Sequence, residues 1–492
     1  MPLLTTSDVL RIRGFKMTRY VCIHGHFYQP PRENPWTGRV DRQKSALPYH
    51  DWNERVTIQC YAPNAAARLL DGKRKVRRTL NNYSRISFNF GPTLLSWMEK
   101  ASPETYAAIL AADRESRERF SGHGGAIAQA YSHMIMPLAS SRDKRTQVIW
   151  GVRDFMHRFG REPEGMWLPE TAVDLETLDI MAEEGILFTV LAPHQALRVK
   201  EGGTWRDVGG GKVDTTVPYS CELPSGRKMT LFFYNGPLAH DIAFGELLKN
   251  GESFARRMID GASGEGLRLS HVAVDGETFG HHHRFGEMAL AYCLEKLEES
   301  REAELTVYGE FLEKHPPKAA VEIAENTSWS CSHGVERWRS DCGCRAGDHP
   351  EWRQGWRGPL REALDRLREE VDAIFEGEGS KIFDDPWKAR DGYIDVLLQG
   401  GGQWGRAREL LEMERNAMLM YTSCGWFFDD ISRIETVQVL NYAMRAAELA
   451  GEISGRDVRG SFLKELEKVR GNTEEVPNAR VAVEKGEARR ES

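Results

Sequence analysis

The sequence predicts an α/β fold in which a barrel-like ring of parallel strands precedes a helical domain. Short apolar runs alternate with helix-like stretches from residue 20 to about 310, and such alternation builds a parallel sheet with helices outside it. Histidines and carboxylates close several of those runs. After about residue 310 strand-like runs nearly vanish and helical periodicity takes over.

Residues 1–16 read as an N-terminal extension. Asp8, Arg11 and Arg13 interrupt its apolar residues, whereas a secretory signal needs an unbroken apolar stretch. The barrel is expected over 17–310. Its strands begin with Tyr20–His26 (YVCIHGH) and continue with 85–91, 165–169, 186–192, 229–234 and 270–274. Between them, Ser102-Pro103-Glu104 is a helix start. Val148, Val152, Phe155 and Met156 share one helical face, as do Leu175, Leu178 and Met181. Residues 311–470 form the helical part, with helices at 356–376, 405–420 and 431–450. Ile434, Val437, Leu440 and Met444 make one stripe of the last. Residues 471–492, rich in Glu, Arg, Gly and Asn, read as a disordered tail.

Composition narrows the function. A formal charge of −7 lacks the basic excess of a nucleic-acid footprint. No apolar run reaches the roughly 18 residues of a membrane span. With no signal read, the expected location is cytoplasmic and the eight cysteines are expected as reduced thiols. The 13 tryptophans fit either core packing or stacking on sugar rings.

The placement of polar residues carries the chemistry. His24, His26, Glu170 and Asp275 each end an apolar strand, and in a β/α barrel those ends form the mouth where active sites lie. His24 and His26, two apart on a strand, point the same way and suit sugar hydrogen bonds or a metal. Glu170 ends Gly165–Glu170 (GMWLPE); alone it reads equally as a charge favoured at a helix N-terminus. The segment 271–283 (HVAVDGETFGHHH) sets Asp275 and Glu277 around a glycine and ends in the triplet His281–His283. That density of ionisable groups points to a task. Two carboxylates across a sugar-sized mouth satisfy glycosidic cleavage: one attacks or steadies the anomeric carbon, the other protonates the leaving oxygen.

Four segments in order, HGHFYQPP, GHGGAIAQAYSHMIMPL, GMWLPE and DGETFGHH, resemble the motif series of glycoside hydrolase family 57. The resemblance implies a (β/α)7 barrel, a distorted TIM-like barrel, followed by an α-helical domain that completes the cleft. It implies a retaining double displacement on α-glycosidic bonds, usually of α-1,4-glucans, in amylases, 4-α-glucanotransferases or branching enzymes. It places the nucleophile on Glu170 and the acid/base on Asp275. His24 and His26 then lie by the cleaved sugar, His123 at the cleft, Trp167 beside the nucleophile, and Glu277 behind Asp275. His281, Trp329 and Trp426 are further candidates for substrate contact. The segments 325–344 and 422–430 resemble a subgroup carrying an associated domain of unknown function. Members of that subgroup run longer at the C-terminus, so a terminal region is expected to be missing here.

The implied partner is an α-glucan or maltooligosaccharide, with no cofactor and no resident metal. Cys331-Ser332-His333 with Cys342-Gly343-Cys344 suggests zinc, but the Cys spacing matches no common structural zinc pattern, so packed thiols are expected. Trp338, Arg337 and Arg339 suit sugar contacts or packing. Gly425 and Trp426 read as a loop reaching the cleft, or as an interhelical turn with Asp429 or Asp430 as cap. Two other functions fit parts of the pattern. One is a metal-dependent deacetylase using His24, His26, Asp275 and the triplet; the other is a non-catalytic glucan-binding protein.

Overall fold

The computed structural model describes residues 19–264, 266–347, 349–401 and 405–491; the N-terminal extension lies outside them. Seven parallel strands make the ring: β1 (Arg19–Phe27), β2 (Ser87–Phe90), β3 (Ala128–Gln129), β4 (Met166–Trp167), β5 (Phe188–Leu191), β6 (Lys228–Phe233) and β7 (Arg268–Asp275). β1 pairs in parallel with both β7 and β2. The Phe88–Ala126 bridge joins β2 to β3, β3 pairs with β4, and the Gly165–Phe188 bridge joins β4 to β5. β5 pairs with β6, and Asn235 N–H donates to His271 C=O at 2.9 Å to close the ring on β7. Three joints thus rest on one bridge or one hydrogen bond, which is the distortion. Gly165 permits one of them, since a Cβ there would stand 2.4 Å from the Phe188 ring.

The apolar runs become strands because both faces are buried in the barrel core: Val21, Ile23, Val272, Val190 and Leu231 are all fully buried. Strands Tyr219–Glu222, Ala319–Ile323, Ala196–Glu201 and Thr204–Asp207 extend the sheet beyond β6. The sheet therefore continues past the expected boundary at 310, to Ile323.

Helices Arg357–Gly379, Pro386–Gln399, Arg406–Leu419 and Ile434–Ser454 build the second part. Their core includes Tyr131, Met134 and Trp150 from the barrel side. A buried ion network ties the parts together: Arg390 Nη1 lies 2.9 Å from Asp143 and 2.7 Å from Glu414. The expected disordered tail is instead packed. Helix Ala479–Glu491 buries Ala479, Ala482 and Val483 in the helical core, and Asn472 N–H donates to Asp430 Oδ2 at 2.7 Å. The apolar stripe there is only a few residues wide, so charged neighbours mask it in the composition.

Candidate functional site

The barrel rule places the site at the C-terminal ends of the strands, and a cavity of about 600 Å³ lies there. That volume is in the range of small-ligand sites. Its barrel wall includes His26, Glu170, Asp275, Glu277 and His281, while Cys424, Phe427, Phe428 and Glu435 close it from the helical side.

Glu170 follows β4 in a one-turn 3-10 helix, Pro169–Thr171. Both Glu170 (φ 57°) and Thr171 (φ 49°) adopt left-handed backbone, an outlier for a β-branched residue, and each such residue costs on the order of 1–3 kcal/mol. Neighbours hold the strained turn. Thr171 Oγ1 donates to Gln195 Oε1 at 2.9 Å, and Gln195 Nε2 donates back to Thr171 C=O at 2.8 Å. Trp329 N–H donates to Glu170 C=O at 3.0 Å. The Glu170 carboxylate accepts from Trp329 Nε1 at 2.9 Å and Ser330 Oγ at 2.6 Å, both through Oε2. Burial raises its pKa, against these two hydrogen bonds and the Arg337 charge.

Asp275 is the last residue of β7, in register with His26 on β1. By surface area its side chain is exposed, because it opens onto the cavity, while the protein atoms crowded around the cavity still desolvate it. Among the described residues no side chain hydrogen-bonds to it. Burial, then the Glu170 charge, pushes its pKa up to about 7. The two carboxylates thus differ sharply: one is held by donors that favour its charged form, the other has none. Glu277, one turn on, accepts from Tyr28 N–H at 3.0 Å and from the Tyr61 hydroxyl. Burial and Asp275 push it up to about 8.

The histidines form a stacked floor. His24 binds Ser87 Oγ at 3.0 Å and Asn89 Oδ1 at 3.1 Å, and Trp167 stacks beneath His24 and His26 with centroids 4.9 and 5.0 Å away. His26 Nε2 lies 3.1 Å from His133 Nε2. Burial pushes His24 and His26 down to about 3, so both are neutral at neutral pH. Neutral imidazoles can offer hydrogen bonds to hydroxyls without charge. Among the described residues, His24, His26, Asp275 and the triplet do not gather into a metal-sized group, which removes the deacetylase-type ligand set.

Comparison with known proteins identifies the family of the chain. The family profile "Glycosyl hydrolase family 57" matches residues 39–324, more than half of the chain. The chain belongs to glycosyl hydrolase family 57. A second profile, "Domain of unknown function (DUF3536)", matches residues 352–405 and 402–485. Among curated relatives, alpha-amylase 1 of Dictyoglomus thermophilum is 26% identical over 196 residues, 40% of this chain and 26% of that protein. The 4-alpha-glucanotransferase of Thermococcus litoralis is 22% identical over 256 residues, 50% of this chain and 36% of that protein. The chain thus matches about a quarter to a third of the length of these relatives. An exo-type maltose-forming amylase from Pyrococcus sp. ST04 shares the fold, with a TM-score of 0.70 at 16% identity, covering 92% of this chain and 83% of that one.

In this family 57 chain, His26, Glu170, Asp275, Glu277 and His281 line the cavity as the sequence suggests. His24 and Trp167 do not line the cavity but pack behind His26 and shape the floor, and Trp329 reaches the site through Glu170. Two expectations need correction. His123 is not at the cleft: it precedes β3, at the opposite end of the ring, and pairs with Glu164 at 2.7 Å and Glu313 at 3.1 Å. Gly125 beside it packs there, a Cβ meeting Ile86 C=O at 2.5 Å. His133, which follows β3, is the histidine of that segment that lines the cavity. Trp426 is a core residue, 1% exposed, with Nε1 donating to Arg357 C=O at 3.3 Å. Phe427 and Phe428 face the cavity in its place.

Tyr28, Arg32 and Trp352 also line the cavity and were missed. Tyr28 stacks on His133 at 3.7 Å. Its signal was position: it directly follows β1 within the first motif. Trp352 lies in a loop far along the chain, and no local pattern marks it.

Proposed function

We propose that the protein is a retaining α-glucan-acting glycoside hydrolase or transglycosylase, with Glu170 as nucleophile and Asp275 as general acid/base. The observation that carries the reading is the pair of carboxylates in one cavity with opposed environments. Glu170, whose charged form Trp329 and Ser330 favour against the opposing effect of burial, attacks the anomeric carbon as the carboxylate. Asp275, holding its proton near neutral pH, gives it to the departing glycosidic oxygen. In the second half-reaction Asp275 takes a proton from water or an incoming sugar hydroxyl, which displaces Glu170 with overall retention. Neutral His26 and His133 serve sugar hydroxyls beside the reacting carbon. Trp352, Phe427 and Phe428 offer aromatic faces on which glucose rings stack. The α-glucan substrate is inferred from the activities named for the amylase and glucanotransferase relatives.

The test is a maltoheptaose digest with product analysis by chromatography and proton NMR. The expected result is α-configured first products, shorter chains if water accepts and disproportionated chains if sugar does. Glu170→Gln should abolish both and retain glucan binding. β-Configured first products, or an active Glu170→Gln protein, would overturn the reading.

A further inference from the structure

The loop 325–355, which supplies Trp329 and Ser330 to Glu170, folds back on itself immediately afterwards. Cys331, His333, Cys342 and Cys344 meet there, with one ligand atom of each within 4.8 Å of all the others. Cys331 Sγ lies 3.9 Å from Cys342 Sγ and 3.8 Å from Cys344 Sγ, and Cys344 Sγ lies 3.5 Å from His333 Nδ1. These separations are far too long for a disulfide, which needs about 2.05 Å. They match a tetrahedral zinc ion. Zn–S bonds of about 2.3 Å and a Zn–N bond of about 2.0–2.1 Å place two sulfurs about 3.8 Å apart, and sulfur and nitrogen about 3.6 Å apart.

We propose that Cys331, His333, Cys342 and Cys344 hold one zinc ion, as a closed structural site that pins this loop against the strained turn at Glu170. The spacing is Cys-x-His followed by Cys-x-Cys. Reading the cysteines alone hides it, because the fourth ligand is His333. Two glycines in left-handed backbone, Gly334 (φ 85°) and Gly343 (φ 79°), let the chain reverse beside and between the ligands, which other residues resist. Soft thiolates with one imidazole in a tetrahedron select zinc over magnesium or calcium. Three thiolates and a divalent cation carry one net negative charge. Arg357, fully buried, stands beside it and donates to Cys344 C=O at 2.8 Å, and Arg337 stacks on Phe427 nearby at 4.2 Å. With four protein ligands there is no open position, so the ion supports the loop and does not take part in chemistry. The site is separate from the carboxylate pair, and its test does not depend on the reaction assigned to that pair.

The experiment uses the full chain, purified without chelator from zinc-supplemented medium. Elemental analysis should find one zinc per chain in the wild type and a near-complete loss in Cys342→Ser/Cys344→Ser. His333 is exposed, so His333→Ala should fold and release zinc to a chromophoric chelator faster than the wild type. Cobalt loading of stripped wild type should give the strong visible bands of tetrahedral thiolate coordination. Chelation should lower the melting temperature of the wild type and leave that of the double variant unchanged. If the double variant does not fold, the wild-type zinc content, the cobalt spectrum and His333→Ala still decide. Substoichiometric zinc when zinc is offered, full retention in His333→Ala, or a Cys331–Cys342 disulfide in the intact mass overturns the proposal.

Discussion

Replacing Glu170 by Gln should lower the pKa of Asp275, but only partway. The structure raises Asp275 from its ordinary 3.8 to about 7, a rise of about 3 pH units; burial is the larger cause and the Glu170 charge the smaller. Glu170→Gln removes the charge and leaves the burial. The charge therefore accounts for less than half of the rise, and the pKa should fall by less than about 1.5 units and settle above about 5.5. The assay is an infrared titration of the carboxyl stretch, taken as the difference between Glu170→Gln and Glu170→Gln/Asp275→Asn. In the wild type the same group should set the alkaline limb of kcat/KM near pH 7, because the acid must carry its proton. A pKa unmoved by Glu170→Gln would mean that the two carboxylates do not sense one another. A fall all the way to 3.8 would mean that charge, not burial, tunes the acid. Either result refutes the reasoning.

Ser330→Ala removes one of two donors to the Glu170 carboxylate. A hydrogen bond to a charged group is worth about 1.5–3 kcal/mol, so kcat/KM should drop about 10- to 150-fold and its acid limb should move to higher pH. Asp275 and Glu277 hold protons in the folded state up to about pH 7 and 8, whereas the unfolded chain releases them near pH 4. The folded state thus binds more protons between those values, so stability falls as pH rises through that window. Thermal melts of Asp275→Asn should be less steep in pH there than those of the wild type. His133→Ala should lower kcat/KM by at least tenfold while His123→Ala leaves it within about twofold, a contrast read in one kinetic series. Arg390→Ala, which strands Asp143 and Glu414, should cost about 3–5 kcal/mol in denaturant melts.

What the sequence made legible follows from range. Six strands of the ring and its mouth are legible because each is a local apolar run and the mouth rule converts strand ends into neighbours; the two-residue strand Ala128–Gln129 carries no such run. His26, Glu170, Asp275 and Glu277 were therefore found together. His123 went astray because a residue before a strand and one after it occupy opposite ends of the ring. Applied to strand Ala128–Gln129, the same rule selects His133. The far wall escaped because Trp352, Phe428 and Glu435 reach the cavity only through packing of one helix bundle on the barrel, and no period within their own segments marks them. Composition hides the packing of the tail 471–492, because it averages over a window wider than the stripe Ala479, Ala482 and Val483.

The same long-range contacts decide what the site costs and how it is kept. Two consecutive left-handed residues at Glu170 and Thr171 would relax if the turn stood alone. They persist because Gln195 grips Thr171 from one side and Trp329 grips Glu170 from the other, through both main chain and side chain. Trp329 in turn sits in a loop with few regular elements of its own, tied by Ser328 Oγ to Gly334 C=O, by buried Trp338 to Ser423 C=O, and by the Cys331, His333, Cys342 and Cys344 cluster. Barrel sequence thus supplies the two carboxylates. The segment between barrel and helices supplies the donors that favour the charged form of one of them, and the helices close the cavity whose crowding favours the protonated form of the other. A chain cut after Ile323 would retain Glu170 and Asp275 and lose the difference between them.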